Sequence, residues 1–236
     1  MFTVVSSPSN QQINDNISVT VEQERYLTLK THRMTSQVEQ HIQHAVESIL
    51  DKNSRQSLVP TLYTILKELV INGCKANQKR IFFDELGLDI SNPEDYAKGN
   101  AEYKKIFSEK MALEYGMKAK NQGYFVMIDF SFDTTGGTLE VTNNTSIARE
   151  EEAILREKLK KAMGYEDIAE FYMDQAMSGD SEGAGLGIAL IIILLKGEGI
   201  DPNLFRIIIE EDRTLARLEI PFTDDFKSKR SSAQEG

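Results

Sequence analysis

The most informative stretch of this chain is a late glycine run, Ser181-Glu182-Gly183-Ala184-Gly185-Leu186-Gly187-Ile188-Ala189-Leu190. Three glycines at alternate positions come just before an apolar, helix-like stretch that ends at residue 195. Glycine lets the backbone adopt positive φ and approach an anion closely, while the free N–H groups and dipole of a first helical turn attract negative charge. The run therefore favours a phosphate site, although a tight turn packed on a neighbouring element fits it equally well.

Two common phosphate-binding motifs do not describe this run. The dinucleotide fingerprint opens a first strand-to-helix turn and needs an acidic residue about 20 residues later, whereas these glycines come late in the chain. A P-loop needs a lysine and a hydroxyl residue after its last glycine, and Gly187 is followed by isoleucine and alanine. Support for a nucleotide site has to come from another segment.

That segment is residues 66–77, which read LKELVINGCKAN and continue a helical pattern of apolar residues. Glu68, Asn72 and Lys75 stand at i, i+4 and i+7, so a carboxylate, an amide and an ammonium share one helix face. A solvated polar face would show the same residues. Gly73 weakens that interpretation, because glycine inside a helix costs about 1 kcal/mol relative to alanine and indicates a close approach to another element.

Taken together, Glu68-x-x-x-Asn72 and the later glycines resemble the GHKL ATPase superfamily of gyrase, the ninety-kilodalton chaperones, sensor histidine kinases and mismatch-repair ATPases. The resemblance implies that Asn72 is a Mg²⁺ ligand and that Lys75 contacts the phosphates of ATP. It also implies that Glu68 is the catalytic residue, orienting or deprotonating a water if the protein hydrolyses ATP. The implied glycine box that closes the phosphate end consists of Gly183, Gly185, Leu186 and Gly187.

The segment expected to read the base departs from the family pattern. Family members follow a strand with Asp-x-Gly-x-Gly, whereas this chain has Asn143 in place of the aspartate and lacks both glycines. An amide oxygen can still accept a hydrogen bond from adenine, but the uncharged bond is weaker by about 1 kcal/mol. A simple turn is the alternative for this segment. The resemblance also implies that Thr214 lies close to the adenine.

Composition limits the class of protein. The chain has 236 residues, of which 40% are hydrophobic, enough to bury one sizeable core. A formal charge of -10 and a pI near 4.9 argue against a nucleic-acid partner. The longest apolar run, which starts at Ile188, is far shorter than the roughly 20 residues of a membrane helix. A single cysteine, Cys74, is consistent with the cytoplasm.

Local patterns predict the elements on either side of these motifs. Alternation from Ile17 to Leu29 predicts an N-terminal hairpin or strand, and a Ser36-x-x-Glu39 capping box predicts the first helix. A further helix should begin at Ser91 and run toward residue 116 or 121. Strands are expected over 124–132, up to residue 143, and as a hairpin over 205–210 and 215–221. The three histidines, His32, His41 and His44, are expected at the surface, so no internal phosphoacceptor is identified.

The predicted architecture is a single domain over residues 1–222. Residues 83–123 form a helical insertion, residues 149–182 form an ATP lid of two helices with a hinge at 178–180, and residues 223–236 form a disordered tail. The lid is expected to have few core contacts and to order over bound nucleotide. The fold class is an α/β (α+β) two-layer sandwich, with a mixed β-sheet backed by helices in the Bergerat type of ATP-binding fold.

Two functions follow from the resemblance. The first is a cytoplasmic, histidine-kinase-like protein that binds ATP and Mg²⁺, acts as an ATPase or protein kinase, and works in signalling through a protein partner. The second is a non-catalytic interaction module on a degenerate GHKL fold with weak or no ATP binding. A homodimer is compatible with both.

Overall fold

The computed structural model describes residues 9–178 and 186–229. Within these residues the chain is mixed α and β. The helices are α1 (Asn10–Gln23), α2 (Ser36–Lys52), α3 (Val59–Glu85), α4 (Pro93–Ile106), α5 (Glu109–Asn121), α6 (Arg149–Gly164), α7 (Ile168–Ser178) and α8 (Leu186–Gly197). The strands are β1 (Tyr26–Thr31), β2 (Val126–Phe132), β3 (Gly136–Asn143), β4 (Phe205–Ile209) and β5 (Thr214–Pro221).

The five strands form one sheet in the order β1-β2-β3-β5-β4. All of its pairings are antiparallel, so the expected mixed sheet is wrong. Short turns join β2 to β3 and β4 to β5, and such hairpins can only pair antiparallel strands. The strands predicted over 124–132, 205–210 and 215–221 are confirmed to within two residues.

One face of the sheet packs against helices in a single apolar core. Residues that alternate along β2, β3 and β5 point into it, and they meet the buried faces of α2, α3 and α8. The sheet contributes Val126, Ile128, Phe130, Leu139, Val141, Leu218 and Ile220 to this core. Alternation turns the intervening polar side chains of these strands to the opposite face.

The first part of the predicted N-terminal hairpin or strand is a helix, whereas its second part, with Leu27 and Leu29, is strand β1. Ser9 caps α1 in a capping box with Gln12, and Ile17 and Val21 are buried at i and i+4. Val19 lies between them in sequence and is 52% exposed, as a helix requires and a strand does not. Alternate apolar residues over five positions fit both periods, so packing on α2 decided the conformation.

Helix α2 begins at the predicted residue but is capped by the hydroxyl of Thr35, which accepts from the N–H of Val38 at 3.2 Å.

The histidines prove to be partly buried, contrary to the prediction that they lie at the surface. His41 Nδ1 lies 2.8 Å from Asn14 Oδ1 of α1. His44 likewise bonds α1, and His32 bonds the carbonyl of Tyr124. These rings join elements together instead of standing free.

The insertion consists of two helices and not of one. Asn92, instead of Ser91, caps α4. This helix ends at Ile106, and Ser108 caps the next helix, α5. The hairpin of α4 and α5 encloses a second, smaller apolar cluster against the end of α3, which includes Phe82, Phe83, Tyr103, Met111 and Tyr115. The insertion therefore packs on the end of α3 through this shared cluster.

The predicted lid helices exist as α6 and α7, but the expected scarcity of core contacts is wrong. Tyr165 and Phe171 are buried in the main core. The ammonium of Lys196 on α8 donates to the carbonyls of Met163 and Tyr165 at 2.9 and 2.6 Å. The hinge at 178–180 falls mostly outside the described residues, and ordering by a ligand stays a prediction.

The expected disorder after residue 223 is also wrong as far as residue 229. The ring of Phe226 lies so close to Gly136 that a Cβ there would be 2.5 Å from Cε2 of the ring. Glu219 is fully buried and accepts from the backbone N–H of Lys229 at 3.0 Å and from the hydroxyl of Ser228. A buried carboxylate needs donors, and this segment supplies them. Residues 230–236 lie outside the described part of the chain.

Across residues 9–178 and 186–229, no helix combines the length and the apolar character that crossing a bilayer requires. The most apolar one, α8, has 12 residues.

Candidate functional site

Helix α3 carries the first group of candidate residues. Its buried stripe, which includes Leu62, Leu66 and Val70, packs into the main core and fixes the helix against the sheet. Glu68 and Asn72 are half-buried beside this stripe, whereas Lys75 is exposed. Because α3 is continuous over these positions, the three polar groups lie on one side of the helix, as predicted, with Glu68 and Asn72 at the edge of the core and Lys75 toward solvent.

Glu68 lies directly against the last glycine of the predicted glycine box. A Cβ built on Gly187 would be 2.6 Å from Cδ of Glu68 and 2.7 Å from its Cγ, well inside ordinary van der Waals contact. Gly187 is buried in the first turn of α8, so the Glu68 carboxylate stands beside a helix N-terminus, where the dipole favours negative charge. Leu186 begins this helix, while Gly183 and Gly185 lie outside the described residues.

Gly73 marks the point where α3 passes closest to the sheet. A Cβ at this position would be 2.9 Å from Cγ2 of Val126 on β2. The close approach that a glycine inside a helix indicates is thus confirmed. Cys74, next along the helix, is buried, which raises the pKa of its thiol to about 12 and leaves it protonated at neutral pH.

Asn143 lies at the end of β3 and turns toward α3. Its Nδ2 donates to the carbonyl of Gly73 at 3.4 Å, although these residues are 70 positions apart in sequence. The side chain is 7% exposed, and its Oδ1 has no hydrogen-bond partner among the described residues. Thr214 is the cross-strand partner of Asn143 on β5, and its hydroxyl donates to the carbonyl of Thr145 at 3.1 Å. The two predicted base-reading residues therefore stand side by side.

Lys75 points to the insertion. Its Nζ lies 5.4 Å from the centre of the Phe107 ring, just beyond the end of α4. An ammonium at this distance from an aromatic face is attracted by the ring quadrupole. The structure therefore separates Lys75 from the group formed by Glu68 and Gly187, and its contact with phosphates stays a prediction.

Two further polar residues belong to this site and escaped the sequence analysis. Asn77 is fully buried, and its Oδ1 accepts from the hydroxyl of Thr145 at 3.3 Å. The guanidinium of Arg80 donates to the carbonyl of Ser146 and holds the loop that follows β3. An amide four residues after Gly73 lies on the same helix face, and this spacing was the available sign that Asn77 faces the sheet.

The start of α6 is attached to α3 and to the insertion by one carboxylate. Lys79 Nζ lies 2.5 Å from Glu151 Oε1, and these side chains are only 17% and 18% exposed. The hydroxyl of Tyr96 on α4 donates to the same oxygen at 3.3 Å. Burial, followed by the charge of Glu151, raises the pKa of Tyr96 above its usual value, so this hydroxyl remains a donor. We call Lys79, Tyr96 and Glu151 the α6 anchor.

A magnesium nucleotide needs oxygen ligands for the metal and polar groups for the base. Within the described ranges, no group of three or more His, Cys, Asp or Glu side chains could hold a metal ion. Mg²⁺ is commonly held by one or two protein oxygens together with the phosphates of a nucleotide. The half-buried amide of Asn72 fits that role, and the unpartnered oxygen of Asn143 fits an amino group of a base.

Comparison with known proteins adds a relative but no activity. No family model matches the chain, and no solved structure matches it. A protein of Treponema pallidum (strain Nichols), described as an uncharacterized protein, is 29% identical over 208 residues. The alignment covers 88% of this chain and 40% of that protein, so the chain spans about two fifths of the length of its relative. Function has to be argued from the site.

Proposed function

We propose that this chain is an ATP- and Mg²⁺-binding domain of the GHKL type that acts in signalling or regulation through a protein partner. The observation that carries the proposal is the contact of Glu68 with Gly187, which joins the N box to the glycine box across more than a hundred residues of sequence. The bond from Asn143 to the Gly73 carbonyl brings the third motif to the same helix. Three motifs named from sequence alone thus lie against α3, at Glu68 and at Gly73.

Each residue in this arrangement has a defined task. The amide oxygen of Asn72 would hold Mg²⁺, which would neutralise charge on the phosphates when bound. The first turn of α8 offers backbone N–H groups and a positive dipole end to the phosphates. Glu68, half-buried beside that turn, can accept a proton from a water if ATP is hydrolysed.

The second candidate is a non-catalytic interaction module. It is favoured by the loss of the two glycines after Asn143 and by the position of Lys75, which lies on Phe107 and away from Glu68. In this case the polar groups along α3 would only stabilise the fold, and a partner would bind without nucleotide. Both candidates allow a homodimer, and the cytoplasmic location stays a prediction.

The choice between ATPase and protein kinase depends on a phosphoacceptor. The histidines of this chain are engaged in bonds between elements, as His41 is with Asn14. A kinase activity would therefore act on a partner, and a test for phosphate transfer needs that partner. Binding of ATP can be tested first, with the chain alone.

Calorimetric titration with ATP, in the presence and absence of Mg²⁺, tests the proposal. The wild-type chain should bind ATP more tightly with Mg²⁺, because the metal links Asn72 to the phosphates. Asn72→Ala should lose this metal-dependent increment and keep the metal-free affinity. Asn121→Ala, at the exposed end of α5, is the matched control and should behave as wild type. Equal affinities for all three proteins with and without Mg²⁺ would remove Asn72 from its role, and absence of binding would favour the interaction module.

A further inference from the structure

Strand β4 lies at the edge of the sheet and has an open row of backbone groups. The strand order leaves β4 paired on one side only, with β5. At the turn between these strands, the N–H of Glu210 donates to the carbonyl of Arg213 at 2.9 Å, so the backbone groups of Glu210 point toward β5. Because this direction alternates along a strand, those of Ile208 also point toward β5. The N–H and carbonyl groups of Ile207 and Ile209 therefore point outward, where no other strand of the described chain pairs with them.

This edge lacks the features that keep an edge strand from pairing with another chain. Proteins protect such edges with proline, lysine or a bulge. Strand β4 reads FRIII, with no proline or lysine, and its register with β5 is unbroken. Its three isoleucines, at positions 207–209, are only half-buried. The opposite edge of the sheet differs, because β1 carries Lys30. Strand β4 is therefore the edge suited to strand addition.

The side chains of β4 divide between the two faces of the sheet. Phe205 stands opposite Leu218 of β5, and both are buried in the main core. Alternation then turns Arg206, Ile208 and Glu210 to the other face of the sheet. A basic and an acidic residue thus stand at equal distances on either side of Ile208, on one face.

This charge pattern is complementary to itself. When two copies of β4 run antiparallel with Ile208 opposite Ile208, Arg206 of each copy stands opposite Glu210 of the other. Opposite charges directly across an antiparallel pair are stabilising. The neighbouring register that the outward backbone groups allow has Ile207 opposite Ile207. It would place Arg206 opposite Ile208 and lose both ion pairs, so the charges select the first register.

Both charged groups are available for such a pairing. The Arg206 side chain is 29% exposed, and its Nη2 lies 3.8 Å from Glu219 Oε2, too far for a hydrogen bond. The Glu210 side chain is 42% exposed and pairs with Arg213 of its own turn. A carboxylate has two acceptor oxygens, so Glu210 can hold Arg213 and a second guanidinium at once.

We propose that two copies of this chain pair through antiparallel β4 strands, with Ile208 opposite Ile208, and join their sheets into one. The N–H of Ile207 in each copy donates to the carbonyl of Ile209 in the other, and the N–H of Ile209 donates to the carbonyl of Ile207. A two-fold axis perpendicular to the sheet repeats every contact, so the assembly closes at two copies. This proposal does not depend on nucleotide binding.

Sedimentation of the wild-type chain over a range of concentrations tests the assembly. The mass should change reversibly from the 26.7 kDa of one chain to twice that value as the concentration rises. A monomer at every concentration up to the solubility limit would overturn the proposal. Growth beyond two copies would overturn it as well, because the two-fold pairing uses up both β4 edges.

Amide hydrogen exchange, followed by NMR, locates the contact. The amides of Ile207 and Ile209 should be protected only at concentrations at which the dimer forms, because they point outward in the single chain. The amide of Ile208 should be protected at every concentration by its bond to β5. A dimer in which the first two amides stay unprotected has its contact elsewhere and would overturn the proposal.

A proline in β4 tests the backbone bonds. Ile209→Pro removes an outward N–H, and proline is tolerated on the free side of an edge strand. A symmetric dimer loses two such bonds, each worth about fivefold in affinity, so its dissociation constant should rise about thirtyfold. Ile209→Thr is the control, because it shortens the side chain and keeps the N–H, and its effect should be much smaller. Thermal melts establish that both variants fold. Equal dissociation constants for the two variants would contradict the pairing.

Two charge variants test the register. Glu210→Lys and Glu211→Lys change the net charge of -10 by the same amount, and both positions are exposed. Only residue 210 stands opposite Arg206 of the other copy. At low salt the dissociation constant of Glu210→Lys should exceed that of Glu211→Lys about tenfold, and the difference should decrease as salt screens the charges. Equal constants at low salt would overturn the proposed register.

Discussion

Replacing Gly187 with alanine perturbs the contact that joins α8 to α3. The new Cβ would lie 2.6 Å from Cδ of Glu68, so the carboxylate end of this side chain has to move by about 1 Å. Overpacking of this kind costs about 1 to 3 kcal/mol. Alanine in place of glycine in a helix returns about 0.5 to 1 kcal/mol. We expect a net loss of about 1 kcal/mol in the free energy of unfolding.

The effect of Gly187→Ala on the free energy of unfolding should have the opposite sign when Glu68 is replaced with alanine. In Glu68→Ala, the atoms that meet the new Cβ are absent, so Gly187→Ala should stabilise the protein by about 0.5 to 1 kcal/mol. The coupling energy between the two positions is then about 1 to 3 kcal/mol. Urea unfolding of the four proteins, monitored by circular dichroism without nucleotide, measures this coupling.

Gly197 supplies a control in the same helix. It is the last residue of α8, and a Cβ there would meet nothing within 4 Å. Gly197→Ala should therefore change stability by the same small amount with Glu68 present or absent. If the coupling energy between positions 187 and 68 is below about 0.3 kcal/mol, as expected for positions 197 and 68, then positions 187 and 68 are independent. The contact that supports the proposed function would then be refuted.

Two further perturbations test how α1 and α6 are held. Burial, and then the charge of His44, lowers the pKa of the His41 imidazole below its usual value of 6.5. The unfolded chain therefore binds a proton at His41 more readily than the folded chain does, and the free energy of unfolding decreases as the pH falls below 6.5. The protection factors of the α1 amides, which are their exchange rates corrected for the intrinsic base-catalysed rate, should therefore decrease between about pH 7 and pH 5. His41→Gln should reduce this decrease, whereas an equal pH dependence in the variant would contradict the assignment. In the α6 anchor, Glu151→Gln leaves the partly buried Lys79 without its counter-ion, so exchange in the first turn of α6 should rise by a factor that reflects about 1 to 3 kcal/mol. Lys79→Met in the same chain should restore part of this protection, and unchanged exchange in Glu151→Gln would show that the anchor does not hold α6.

Elements with long, regular patterns could be read from the sequence. The apolar faces of α2 and α3 repeat over four or more turns, and only a helix buries such a face. The strands β4 and β5 likewise follow from β-branched residues on either side of a short polar turn. These patterns are local, so they predict the helices and strands without knowledge of the tertiary structure.

The predictions from sequence were wrong where a short apolar pattern fits both the helix period and the strand period. Ile17 and Val21 lie four residues apart, which suits a helix face, while the residues between them also suit a strand. The helix after Pro93 ends at Ile106 because Ser108 caps a second helix, and no periodicity marks that break. The burial of Tyr165 and Phe171 in the main core was also beyond the sequence, because charged helices of this kind occur on many surfaces.

Residue type and helical spacing were enough to place the candidate groups on α3 and the glycine at the start of α8. Only the tertiary structure decided which of them meet. Packing of α8 on α3 puts Gly187 against Glu68, and the close passage at Gly73 brings the Asn143 amide to the Gly73 carbonyl. Contacts between residues so far apart in sequence are set by the shape of a shared core, which no local pattern encodes.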